Sequence, residues 1–204
     1  MKALLIIDVQ NDFLPGGALA VPGGDQIIGV INSLQPIFEI VVATQDWHPE
    51  NHGSFASSHV GAKPFDMGVL GGMDQVLWPD HCMQGFAGAE LAQLLDKNPI
   101  EAIFRKGTDP GIDSYSGFFD NGKLKDTGLA AYLKGRGVTR VYLVGLAGDY
   151  CVGFTALDAI EQGFETFLIH DATRPIDTEG FEKMKQEIIS KGGKVVKAED
   201  VLGA

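Results

Sequence analysis

Residues 138–163, VTRVYLVGLAGDYCVGFTALDAIEQG, decide the fold. Val138, Val141, Leu143 and Val144 form a short apolar, β-branched run, the pattern of a strand buried on both faces. From Cys151 onward the small and apolar residues Val152, Ala156, Leu157, Ala159 and Ile160 fall at helical spacing. Between them, Gly145 to Tyr150 holds two glycines and an alanine, which suits a tight backbone that must approach something closely. The unit reads as strand, turn and helix. It sets Cys151 in the first helical turn, where unpaired N–H groups and the helix dipole favour a thiolate. A lone cysteine in an apolar segment is also a common small core residue, so the rest of the chain has to decide its role.

Working outward, apolar runs at 3–7, 40–43, 102–104, 138–144, 166–169 and Lys194–Val196 read as strands. Segments 25–38, 89–97, 126–136, 151–162 and Thr178–Ser190 read as helices, with Asp126 and Asp177 as N-terminal caps. Alternating strands and helices with near-continuous apolar strands imply an α/β fold with a parallel sheet covered on both faces. Two long stretches, 44–88 and 107–125, interrupt that rhythm and are rich in Gly, Pro and aromatic residues. Loops of that length are commonly functional.

The 204 residues, 45% of them hydrophobic, suit one domain spanning 1–204. A formal net charge of −11 and the absence of a Lys/Arg cluster argue against nucleic-acid and anionic-membrane partners. Two cysteines, Cys82 and Cys151, do not make a disulfide scaffold, and a reducing cytoplasm fits best. The opening MKALLIIDVQ meets a charge at Asp8, so it reads as the first strand rather than a signal or a membrane span.

In an open parallel sheet, ligands bind beyond the carboxyl ends of the strands. The residues just past the expected strands are Asp8, then Asp46 and His48, then Lys106, Cys151 and Asp171. Asp8 can accept the proton of Cys151, while Lys106 keeps that carboxylate ionised and stabilises a thiolate. Asp46 and His48 lie two apart on an extended segment and so point to one side, where His81 completes a donor set suited to zinc, iron or manganese. His52, Ser54 and His59 are further donors in the same loop, and histidines capping turns would leave the same pattern. Phe13, Trp47, Trp78 and Tyr115 can wall a site for a flat aromatic ligand, or pack the loops, while Phe118 and Phe119 read as packing residues.

Five segments carry a resemblance: LLIIDVQNDFLPGGALAVPGG, TQDWHPENHGSF, WPDHCMQG, FRKGTDPGIDSYSGF and LVGLAGDYCVGFTALDA. Together, and in this order, they resemble the nicotinamidase (pyrazinamidase) branch of the isochorismatase-like cysteine hydrolases. The superfamily needs only Asp8, Lys106 and Cys151; the DWH and WPDHC motifs indicate the branch. The resemblance implies a three-layer α/β/α fold with a six-stranded parallel sheet. It implies hydrolysis of nicotinamide, and of pyrazinamide, for NAD salvage. It makes Cys151 the nucleophile, Asp8 the base and then acid, and Lys106 the third member, with a cis peptide before Ala147 that aims the N–H groups of Ala147 and Cys151 at an oxyanion. It assigns one divalent ion, zinc or iron with manganese also suited, to Asp46, His48, His81 and, at a variable fourth position, Ser54. Phe13, Trp78 and Tyr115 would hold the ring.

Rival readings are a metal-independent isochorismatase or carbamoyl-amide hydrolase, a binding module with a silent thiol, and a metallohydrolase with a structural cysteine. Asp171, His170 and Cys82 read as capping or packing residues. The sequence leaves oligomeric state, a homo-oligomer included, open.

Overall fold

The computed structural model describes residues 1–203. In chain order the elements are β1 (Lys2–Ile7), α1 (Ile28–Leu34), β2 (Ile40–Asp46), β3 (Met67–Leu70), β4 (Met73–Val76), β5 (Ala102–Lys106), α2 (Leu129–Gly135), β6 (Arg140–Leu146), α3 (Gly153–Glu161), β7 (Glu165–Arg174), α4 (Thr178–Ser190), β8 (Lys194–Val196) and α5 (Ala198–Leu202). Six strands form one parallel sheet in the order β5-β2-β1-β6-β7-β8. All six expected strands are present.

Strand alternation divides the core into two layers. Leu4 and Ile6 of β1 face one side with Ile28, Ile31 and Leu34 of α1 and Val201 of α5. Ala3, Leu5 and Ile7 face the other with Leu129, Leu133, Ala156 and Ile188 from α2, α3 and α4. Each fully buried Leu or Ile contributes on the order of 1.5–3 kcal/mol. The chain builds outward from β1 to β2 and β5, then returns to place β6 on the other side of β1. The strand order therefore reverses between β1 and β6, where such folds open a crevice.

Several local expectations are corrected. Residues 89–97 are not helical: Leu91 bridges Gln10 and the Ala92 N–H donates to the Val9 carbonyl at 2.8 Å. This tertiary pairing overrides helix-like spacing and still buries Leu91, Ala92 and Leu95. Asp126 does not cap α2; its carboxylate closes a turn on the Gly128 N–H, and Gly128, at φ 88, marks the helix start. Residues 25–38 divide into α1 flanked by two 3₁₀ turns, with Pro36 inside the second. The hairpin β3–β4 emerges within the long 44–88 stretch, and α5 is an addition. Asp177 does cap α4, accepting from the Gly180 N–H. Asp171 accepts from the Ala198 N–H at 2.8 Å, so it caps α5 from a neighbouring strand. Among the described residues no helix is long and apolar enough to cross a membrane.

Candidate active site

Asp8 follows β1 and Cys151 follows β6, on adjacent strands whose last register pair is Ile7 with Gly145. The strands run so close that a Cβ on Gly145, whose φ is 120, would sit 2.1 Å from the Ile7 carbonyl oxygen. Cys151 lies in a π-helical turn, Gly148–Val152, ahead of α3, not in the first turn of an α-helix as expected. The Leu146–Ala147 peptide preceding that turn is cis. The Ala147 N–H makes no hydrogen bond among the described residues.

Lys106, at the end of β5, joins these groups. Its buried Nζ lies 2.8 Å from Asp8 Oδ2, 2.5 Å from Asp46 Oδ1, 2.9 Å from the Ser114 carbonyl and 3.3 Å from Cys151 Sγ. The Thr44 hydroxyl donates to Asp8 Oδ1 at 2.6 Å. Asp8 Oδ2, although close to Lys106, has no hydrogen bond of good direction. The Asp8 backbone is left-handed, φ 47, a conformation that Asp tolerates better than most residues.

Burial disfavours each charged form here, and the neighbouring charges decide how far each group shifts. Burial works to lower the Lys106 pKa, but Asp46, Asp8 and Cys151 outweigh it, so the ammonium is held charged. Burial raises Asp8 above the ordinary carboxylate range against the opposing pull of Lys106. Burial also pushes the Cys151 thiol well up, Lys106 opposing and Asp8 and Asp46 reinforcing. The bias toward a thiolate expected from a helix terminus is thus outweighed by burial, and Cys151 is a buried thiol beside a carboxylate.

The second cluster holds Asp46, His48 and His81, whose donor atoms lie within 4.8 Å of one another. His48 Nδ1 bonds the Gly107 carbonyl and His81 Nδ1 the Pro79 carbonyl, both at 2.8 Å. Each carbonyl can only accept, so each Nδ1 carries the hydrogen and each Nε2 offers a lone pair. Those Nε2 atoms lie 3.6 and 3.9 Å from Asp46 Oδ2. Two imidazole lone pairs converging on a carboxylate oxygen fit a divalent cation. Burial and the neighbouring His48 hold His81 near a pKa of about 4. Burial works to raise Asp46, but the positive charge beside it, the Lys106 ammonium foremost, outweighs it and holds its carboxyl well below the usual range.

The backbone around the cluster is clamped. Gln10 receives the Asp46 N–H on Oε1 and donates Nε2 to the Asp46 carbonyl, both at 2.8 Å, extending the β1–β2 ladder with a side chain. Gly107, at φ 63, admits the His48 ring; a Cβ there would lie 2.3 Å from it. Ser54 is buried with its Oγ on His52 Nδ1, while His59 caps the loop by bonding the Gly53 carbonyl. Trp47 packs under Arg105, whose guanidinium carbon is 3.9 Å from the ring centroid. Cys82 is buried and free, its N–H held by Asp12 at 2.7 Å.

Both clusters open on one cleft of about 340 Å³, part of it open to solvent. Phe13, Trp78 and Tyr115 line it, together with Cys151, Ala147 and the Asp46–His48–His81 group. The rings of Trp78 and Tyr115 both meet Tyr150 edge-on, at 4.9 and 5.3 Å. Sequence reasoning missed Leu19, Asp113, Tyr150 and Ile176 in this wall. Tyr150 adjoins Cys151 in the turn and was within reach; Leu19 and Ile176 are isolated apolar loop residues with no local signal.

The isochorismatase domain model matches residues 2–200. A nicotinamidase of Acinetobacter baylyi is 48% identical over 98% of this chain and 94% of its own. Among solved structures, an Acinetobacter baumanii nicotinamidase and pyrazinamidase superposes with a TM-score of 0.95 at 47% identity, covering 98% of this chain and 97% of that one. PnC1 from L. infantum in complex with nicotinate gives 0.86 at 39% identity, covering 98% and 93%. A pyrazinamidase of Pyrococcus horikoshii in complex with zinc gives 0.79 at 41%, covering 96% and 98%. This chain belongs to the isochorismatase domain family, within its nicotinamidase branch.

Proposed function

We propose that this protein hydrolyses nicotinamide, and pyrazinamide, to the acid and ammonia, as a single-domain cysteine hydrolase acting in NAD salvage. The observation that carries the reading is the shared cleft: a Cys–Lys–Asp cluster and an Asp–His–His donor set meet there between aromatic walls. A nicotinamidase at 48% identity and a nicotinate complex of a relative support the substrate.

In the proposed sequence Asp8 takes the proton of the Cys151 thiol. Oδ2 is the oxygen left without a hydrogen bond and is the one suited to receive it. The thiolate attacks the carboxamide carbon, and the N–H groups of Ala147 and Cys151 hold the oxyanion. Asp8 returns the proton to nitrogen, the C–N bond breaks, ammonia leaves, and a thioester remains on Cys151. Water then gives one proton to Asp8 and its hydroxyl to the acyl carbon, the C–S bond breaks, and Asp8 passes the proton to the departing sulfur, releasing the acid and restoring the thiol. Lys106 keeps Asp8 anionic between steps and steadies the developing thiolate.

Asp46, His48 and His81, with Ser54 as fourth donor, would hold one divalent ion, zinc or iron, with manganese also suited. When bound, that ion supplies a Lewis-acid contact for the ring nitrogen and thereby orients the substrate. Phe13, Trp78 and Tyr115 enclose the ring. The reading is tested by assaying ammonia release from nicotinamide with metal-replete protein. Release abolished by Cys151→Ala supports it; no release by the wild type overturns the substrate assignment.

A further inference from the structure

His52 is buried, and its ring makes two hydrogen bonds, both through Nδ1 and both to Ser54. The Ser54 backbone N–H donates to Nδ1 at 3.2 Å, and Ser54 Oγ lies 2.7 Å from the same nitrogen. A ring nitrogen that receives an N–H is the unprotonated one, so Nδ1 is an acceptor. The 2.7 Å contact then has only one polarity: the hydroxyl of Ser54 donates and His52 accepts. Nε2 of His52 is buried without a well-directed hydrogen-bond partner, so the Nδ1 contacts to Ser54, with packing on the His48 and Phe55 rings, orient the ring.

The consequence falls on the serine oxygen. Its single hydrogen is committed to His52, which fixes the direction of the Oγ lone pairs and makes the oxygen more electron-rich. A neutral hydroxyl is otherwise a weak donor to a divalent ion, and an outer partner that raises a ligand's basicity strengthens it. Ser54 is anchored to the wall of the cleft, its carbonyl accepting from the N–H of Trp78 at 2.7 Å. The adjoining Phe55 ring lies 5.4 Å from His48 and 5.6 Å from His81, and the His52 ring lies 4.4 Å from His48.

We propose that His52 is a positioning residue of the metal site, which accepts the Ser54 hydroxyl hydrogen and so presents Ser54 Oγ as an oxygen donor to a divalent cation. This rests on the reading of Ser54 as fourth ligand. It also gives the fourth position a composite character: a serine made effective by a histidine two residues earlier.

The test is the affinity of the purified protein for Zn²⁺ and Co²⁺ by chelator competition, with the visible absorption of the Co²⁺ form as a second readout. The proteins compared are wild type, Ser54→Ala, His52→Phe, His52→Asn and the Ser54→Ala/His52→Phe double variant. Ser54→Ala and His52→Phe each weaken binding by about 10-fold or more and change the Co²⁺ spectrum alike. The double variant binds no more weakly than Ser54→Ala, and His52→Asn, which keeps an acceptor in reach, retains affinity even if the Phe variant folds poorly. Unchanged affinity and spectrum in Ser54→Ala would overturn the ligand reading itself. Loss in Ser54→Ala with wild-type behaviour in His52→Phe would overturn the role of His52 alone. A further loss from His52→Phe on top of Ser54→Ala would also overturn it, because His52 would then act independently of the serine.

Discussion

Asp46 and Lys106 are register partners at the ends of β2 and β5, and their side chains meet at 2.5 Å between Oδ1 and Nζ. Asp46 thereby divides its carboxylate, one oxygen on the lysine that touches Cys151 and the other beside the two imidazoles. Cys151 and the Asp–His–His donor set are two halves of one charge network.

Lys106→Ala accordingly lowers kcat by about 100-fold or more, since it removes the charge that holds Asp8 ionised. It also leaves two buried carboxylates without their cation, which costs roughly 3–5 kcal/mol of stability. Steady-state kinetics beside denaturant unfolding check both effects; near-normal kcat in a folded variant removes Lys106 from the chemistry.

With Asp8 as the proposed base, the acid limb of kcat/KM follows its ionisation, which burial lifts above the ordinary carboxylate range. The Thr44 hydroxyl pulls in the other direction by donating to Oδ1. Removing it favours the protonated acid, so Thr44→Val moves the limb to higher pH and leaves the plateau in place. Thr44→Ser keeps the limb where it was. A pH–rate profile of the three proteins decides; an unmoved limb in Thr44→Val contradicts the assignment of Asp8 as base.

A divalent ion that binds the folded state alone raises its stability by about 2.7 kcal/mol at 100 times its dissociation constant. Thermal melts with and without added ion show this shift in the wild type. His81→Ala, which deletes one converging lone pair, loses most of it. A full shift in that variant would place the ion elsewhere.

Gly107→Ala tests how tightly the His48 ring is seated. The backbone there is left-handed at φ 63 and an added Cβ meets the ring at 2.3 Å. The variant loses divalent-ion affinity and stability together, measured by chelator competition and unfolding. Wild-type affinity would show that the ring relaxes without consequence.

Much of this arrangement is legible in the sequence because it follows strand ends. Asp8 directly follows β1, Asp46 and Lys106 are the last residues of β2 and β5, and Cys151 lies in the turn after β6, and a parallel sheet collects those ends on one rim. What was not legible depended on distant pairing. Residues 89–97 carry helical spacing, yet their backbone is drawn into bridges with the chain after β1. The hairpin β3–β4 was hidden in a loop with alternating polar and apolar residues too few to stand out. The bonds that orient the site, Gln10 to Asp46 and Thr44 to Asp8, join residues 36 apart and have no local signature. Cys151 shows the limit of a local argument. Its place after a strand was readable, but its titration is governed by burial and by Asp8 and Lys106, not by a helix terminus.

The central claim is a thioester on Cys151. Metal-replete protein is mixed with nicotinamide, quenched in acid during turnover and analysed by peptide mass spectrometry, with Cys151→Ala alongside. The account predicts a nicotinoyl group on the peptide carrying Cys151 in the wild type, and neither adduct nor ammonia release in the variant. Ammonia release by Cys151→Ala at a rate close to that of the wild type would contradict it.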